Sequence, residues 1–253
     1  GLMPSSEEIS VVETLGSPKR LNSSSVTSRM RSAVRRGAVP SATLPAPVAL
    51  TAAAATLAAV LSYCGLAIDV WQDGRWQPKR GWAQPTPVQF QRLQPRLGAV
   101  CDIPDLEIFP AHYKARDCVT FRAALEVGLA QRAFATLAAL RHWGVLPHPE
   151  KLAWLIHHAG GALDFLGTPL GGMVVRVAGT GAQGQPRRRA WHIAADHDHG
   201  PEIPCMAAIL LARQLAVGQP LPTGAHTSTS LLPLSAFAPE FAKGGMVTDV
   251  VEE

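Results

Sequence analysis

At 253 residues the chain is long enough for one sizeable core, and 47% apolar against 17% charged residues excludes a wholly disordered chain. Six Lys/Arg stand against three Glu over residues 1–47, and 17 against 16 over residues 48–253. The net charge of +4 therefore sits largely at the N-terminus, and a nucleic-acid partner is not expected.

Residues 1–47 include LNSSSVTSRMRSAVRRGAVPSATLPAP, rich in Ser, Arg and Pro and without a clean apolar period. The whole of 1–47 reads as a disordered or linker segment, with a transit-type leader or a basic arm as the alternatives. No charge occurs between Arg36 and Asp69, and the stretch at 48–68 is long enough to cross a bilayer. Its many alanines, with Thr51, Thr56 and Ser62, make a buried helix the expectation and a membrane segment the alternative.

TAAAATLAAVLSYCG favours a helix that stops at Gly65. AIDVWQDGRWQ alternates around Asp73-Gly74 and predicts a hairpin over about 67–77. Residues 78–104, broken by proline, read as a long loop. CVTFRAALE begins as a strand, and from Leu125 a helical period through Leu129, Ala133, Leu137 and Leu140 runs to Gly144. A further helix over 149–166 groups Leu152, Leu155, Ile156, Ala159 and Leu163. MVVRVAG (173–179) and RRAWHIAA (188–195), joined by TGAQGQP, predict a second hairpin over 173–195. A last helix from about Pro204 to Val217 is apolar almost all round and so needs cover on several sides. Residues 239–253 read as a tail. The fold class expected is α+β: a largely antiparallel or mixed sheet covered by helices, with no complete Rossmann unit.

The chemistry-bearing stretch is DHDHGPEIPC at 196–205. His197 and His199 alternate with Asp196 and Asp198, which suits acid–base work because a carboxylate can orient an imidazole. The competing reading is a polar turn before a helix opened near Pro204. A metal needs further ligands, and His157-His158 on a helix diverge too far to supply them; no metal is expected. Cys64, Cys101, Cys118 and Cys205 have no CxxC spacing and read as small buried thiols of a reducing, cytoplasmic setting. Arg187, Arg188 and Arg189 read as a solvated face, and Trp71, Trp76 and Trp82 as packing residues. Ser62 and Ser235 lack a nucleophile-elbow context.

SYCG, VWQDGRWQ, DIPDLEIFPAHY, VTFRAALE, GGMVVRVAG and HDHGPEIPCMAAILLARQLAVG occur in that order. This ordered set, over about residues 50–235, resembles the C-terminal part of bacterial saccharopine dehydrogenase-like oxidoreductases. In that family a glycine–acid–glycine–proline turn precedes the last helix, and here His197-Asp198-His199-Gly200-Pro201 fills its place. The resemblance implies an α+β domain over 48–238 that offers substrate contacts and a dimer or interdomain surface. NAD or NADP would be bound by a nucleotide-binding domain that this chain lacks, so the chain reads as a fragment without tight cofactor binding of its own. It implies His197, Asp198 and His199 as catalytic candidates and Gly200 and Pro201 as cofactor-side positions. Gly171, Gly172 and Met173 are then substrate-cleft residues, the two glycines admitting a close ligand. A small-molecule substrate and a homodimer follow as expected partners. The competing class is a non-catalytic binding or interaction domain, membrane-associated through 48–68.

Overall fold

The computed structural model describes residues 6–15, 46–161, 166–181 and 183–253. Its frame is one branched sheet built from two antiparallel groups. The first group holds β2 (Ala67–Gln72), β3 (Arg75–Arg80), β4 (Thr86–Val88), β5 (Arg96–Val100) and β6 (Cys118–Leu125). The second holds β7 (Gly171–Thr180), β8 (Pro186–Ala195) and β9 (Val247–Glu252). Strand β1 (Ser6–Leu15) joins them, parallel to β6 and antiparallel to β7. The α+β class expected from the sequence is the one observed.

That central strand corrects the reading of residues 1–47 as disorder or linker throughout. The Ser/Arg/Pro-rich composition belongs to the later part of the segment, whereas Ile9, Val11, Val12 and Thr14 give Ser6–Leu15 a β-branched run suited to a strand. The expectations for a basic arm or leader at 16–45 fall outside the described residues.

The first group carries the larger core. Helix α1 (Ala46–Tyr63) lays Leu57, Leu61 and Cys64 against Ile68 and Val70 of β2, Phe121 and Ala123 of β6, and Trp82. Helices α2 (Asp105–His112) and α3 (Gly128–His142) add Leu106, Phe134 and Ala138. Trp82 is fully buried, its ring 4.8 Å from that of Phe134. Gly65 ends α1 as expected, with φ +82°, and a Cβ there would lie 2.7 Å from the Ala138 carbonyl oxygen. The terminal carbonyls of α1 accept from Arg141, whose Nη1 lies 2.6 Å from Ser62 O. A guanidinium there also meets the negative end of the helix dipole.

The Asp73-Gly74 hairpin is present, both residues in the left-handed region and Gln72 opposite Arg75. Trp71 and Trp76 face each other across it, edge to face at 5.4 Å. Residues 78–104 are not one long loop. The end of β3, all of β4 and all of β5 lie there, short strands that tolerate Pro78 and Pro87 because they sit at the margins of the sheet. Helix α2 follows although Pro110 lies inside it.

After α3 stops before Gly144 (φ +74°), a 3₁₀ turn (Pro149–Leu152) leads into α4 (Ala153–Gly161). Ile156 packs on the core but Leu155 is exposed, so the face proposed for this helix is only partly buried; Leu163 is outside the described residues. Helix α5 (Glu202–Ala216) begins two residues before Pro204, and α6 (Leu234–Lys243) packs beside it. Ile203 and Met206 of α5 join Ile193, Ala195, Phe241 and Met246 in a second core over β7 and β8. The rest of α5 is less covered than its apolar character predicted: Cys205, Leu215 and Val217 are exposed. Residues 239–253 are no tail, since they complete α6 and form edge strand β9 on β8. No helix among the described residues is long and apolar enough to cross a membrane.

Candidate functional site

One end of the sheet brings together Arg96 at the start of β5, Glu126 just past β6, Gly171 at the start of β7 and Asp196 just past β8. The registers place them there: Gly98 pairs Ala124, Leu15 pairs Leu125, Thr14 pairs Gly172 and Gly171 pairs Ala195. The turn at 196–200 lies at this end.

The turn has a tight internal geometry. His199 N–H donates to Asp196 O at 3.1 Å, and His197 and Asp198 between them have φ of 53° and 61°. Two consecutive left-handed residues closed by such a bond form a type I′ turn, in which Gly, Asn and Asp are the usual residues. The Asp196 carboxylate accepts from His197 N–H at 2.6 Å, which helps to hold the conformation.

A buried polar clamp fixes this turn to the sheet. Arg96 and Glu126 pair at 3.7 Å with side chains only 6% and 9% exposed. Arg96 Nη2 donates to Leu170 O at 3.0 Å, while Glu126 Oε1 accepts from Thr168 N–H at 2.7 Å and from the Thr168 hydroxyl. Burial pulls the Arg96 guanidinium below its ordinary value, and the Glu126 charge opposes that pull. The clamped segment then receives the turn: Asp198 N–H donates to Pro169 O at 3.1 Å.

Gly171 and Gly200 complete the joint. A Cβ on Gly171 would lie 2.7 Å from Gly200 Cα, and one on Gly200 would lie 3.0 Å from Gly171 Cα. A Cβ on Gly172 would lie 2.4 Å from Ile193 O. These glycines admit neighbouring backbone, where the sequence suggested a closely approaching ligand. Met173 is likewise drawn into the second core instead of lining an opening.

The two histidines of the turn divide. His199 is mostly buried and its Nδ1 lies 2.9 Å from Glu202 Oε1, so it ties the turn to the first turn of α5. His197 has an 85% exposed side chain, with Nδ1 3.8 Å from Asp196 Oδ2. Of the two imidazoles it is the one open to solvent. Pro201 is the entry residue of α5, and it has no N–H. The N–H groups of Glu202 and Ile203 donate within the turn, to His199 O and Gly200 O. With Gly200 filled by Gly171, this helix start does not fit a nucleotide phosphate.

Other candidates resolve as structure. Arg187 and Arg189 both pair with Glu252 of β9. His157 and His158 make no shared site, His158 being bonded to Trp154 O. Among the described residues no group of three or more His, Cys, Asp and Glu is arranged to hold a metal. Cys64 and Cys101 are buried, as expected of small apolar thiols, whereas Cys205 is exposed.

Sequence reasoning missed the Arg96–Glu126 clamp, because Arg96 lay in the presumed loop. It also missed Gln131, which is fully buried in α3 and accepts from Leu125 N–H at 2.9 Å. A further buried group, His192 on β8, accepts at Nδ1 from Gln91 N–H at 3.3 Å. No signal in the sequence pairs residues so far apart. No family model matches the chain, and no curated protein is significantly similar to it.

Proposed function

We propose that this chain is the substrate-side domain of a saccharopine dehydrogenase-like oxidoreductase. NAD or NADP is held by a separate nucleotide-binding domain, and a small-molecule substrate lies against the turn at 196–200. The observation that carries the reading is the His197–Asp198 pair, held with positive φ on a turn that a buried ion pair and a glycine–glycine contact fix to the sheet. Non-glycine residues held at positive φ are uncommon and are found disproportionately at working sites. The ordered resemblance of residues 50–235 supports the same reading.

In this role the exposed His197 exchanges a proton with the substrate, with the Asp196 carboxylate 3.8 Å from its ring. His199, Gly200 and Gly171 keep the turn in place. The hydride chemistry belongs to the cofactor, bound by the other domain. Titration with NADPH, followed by its fluorescence, tests the proposal on this chain and on a version extended upstream in its gene. Binding by the extended protein alone is the expected result, and binding by neither overturns it.

A second reading is a non-catalytic interaction domain. The exposed Leu215 near the end of α5 and Val217 just past it favour it, since apolar side chains left on a surface are available for association. A chain that is monodisperse by itself and indifferent to NADPH in both versions is the outcome this reading predicts.

A further inference from the structure

The two ends of the sheet's main strand path are built differently. At one margin, β3 carries Pro78 together with Arg75, Lys79 and Arg80. Proline and unpaired cations are how a sheet edge repels another strand. At the other margin, β9 reads VTDVVE, with no proline and no lysine. Its carboxylates are already engaged within the chain: Asp249 by Arg92, Glu252 by Arg187 and Arg189, and Glu253 by Arg176. The edge therefore presents β-branched residues, with acids that are each held beside an arginine of the same chain. Val247 is 44% and Val250 68% exposed.

The hydrogen-bond phase of β9 fixes which groups point outward. Glu253 N–H donates to Arg188 O at 3.2 Å, and the register continues through Glu252 opposite Arg189 and Val250 opposite Trp191. Alternation along an antiparallel ladder turns the N–H and C=O of Val247, Asp249 and Val251 toward β8. Those of Thr248, Val250 and Glu252 face away from it, and among the described residues no further strand meets them.

We infer that β9 is a dimerisation edge, pairing antiparallel with β9 of a second copy about a two-fold axis at Val250. Charge selects this register. Centred on Val250, Thr248 lies opposite the partner's Glu252, Asp249 opposite the partner's Val251, and the two Val250 side chains meet. A pairing centred on Asp249 would set two aspartates against each other. One centred on Val251 would set Asp249 against the partner's Glu253. Like charges directly opposite destabilise a sheet, whereas a β-branched pair stabilises it. In the Val250 register every outward N–H and C=O of Thr248, Val250 and Glu252 finds a partner. An isologous two-fold contact of this kind closes and stops at a dimer. The inference does not depend on the oxidoreductase reading, because the 196–200 turn takes no part in it.

Sedimentation equilibrium of the full chain, from low to high micromolar, tests this. The expected mass rises from 26.9 kDa to roughly twice that value. Val250→Lys and Val250→Glu should each remain monomeric, since each places like charges at the axis, and their equimolar mixture should recover the dimer. A wild-type chain that stays monomeric throughout overturns the inference. So does a Val250→Lys chain that dimerises as well as wild type, or a mixture that stays monomeric. Hydrogen exchange on the unmodified chain covers the case in which the variants do not fold. The amides of Thr248, Val250 and Glu252 should gain protection as concentration rises, and unchanged exchange there in a dimeric sample would overturn the proposal.

Discussion

Gly171 and Gly200 meet backbone to backbone, with no room for a methyl group on either: a Cβ on Gly171 would stand 2.7 Å from Gly200 Cα. Neither atom belongs to a flexible side chain, so nothing nearby can yield cheaply. Gly171→Ala should therefore destabilise the fold by about 1–3 kcal/mol through overpacking. It should also displace the turn, so that Asp198 N–H loses its bond to Pro169 O. Denaturant unfolding measures the first effect, and amide exchange at Asp198 the second.

The Arg96–Glu126 pair predicts an asymmetric response to mutation. Glu126→Gln removes a buried carboxylate that faces Arg96 and accepts from Thr168, and should cost about 1–3 kcal/mol. Replacing both residues, as Arg96→Met with Glu126→Leu, should recover part of that loss, because neither charge is then buried. A double-mutant cycle by urea unfolding checks this, and strict additivity would contradict a coupled pair.

His192 predicts a pH dependence. Burial, followed by the Arg176 charge, lowers its pKa from 6.5, while Glu253 and Asp249 act in the opposite direction. The unfolded chain thus takes up this proton at a higher pH than the folded one. Stability from this group is complete above about pH 6.5 and falls as pH drops toward the lower folded value. Protonation would also cost the bond from Gln91 N–H, which needs a bare Nδ1. His192→Asn should flatten the fall in stability below about pH 6.5. An unchanged slope would remove His192 as its source.

The thiols should separate by reactivity. Burial pushes the Cys64 thiol up to about 11, against the opposing Arg141 charge, and its Sγ lies 3.5 Å from Phe134 O. Cys205 is exposed on α5. Alkylation of the native protein, read by peptide mass, should modify Cys205 before Cys64 and Cys101. Early modification of Cys64 would mean that α1 opens readily from the core.

Local chemistry made part of this fold legible. Asp73-Gly74 announced its hairpin and Gly65 the end of α1, because each needs a backbone conformation that few residues adopt. Strand β1 was hidden by averaging: its short β-branched run was read together with a long Ser/Arg/Pro-rich stretch. Strands β4 and β5 were hidden by prolines that marginal strands tolerate. The DHDHGP stretch was legible as a turn. That Gly200 answers Gly171, and that Arg96 answers Glu126, depends on strands far apart in sequence meeting at one sheet end. Such pairings are decided by tertiary register, which no local pattern carries.

Hydrogen exchange across residues 196–203, in the upstream-extended protein with and without NADPH and a competing substrate analogue, tests the central claim most directly. The account predicts slowed exchange at the His197–Gly200 amides when cofactor and analogue are bound, and loss of that change in a Gly171→Ala variant. Cofactor binding with exchange altered only elsewhere would contradict it, and the turn would then be a polar connection into α5.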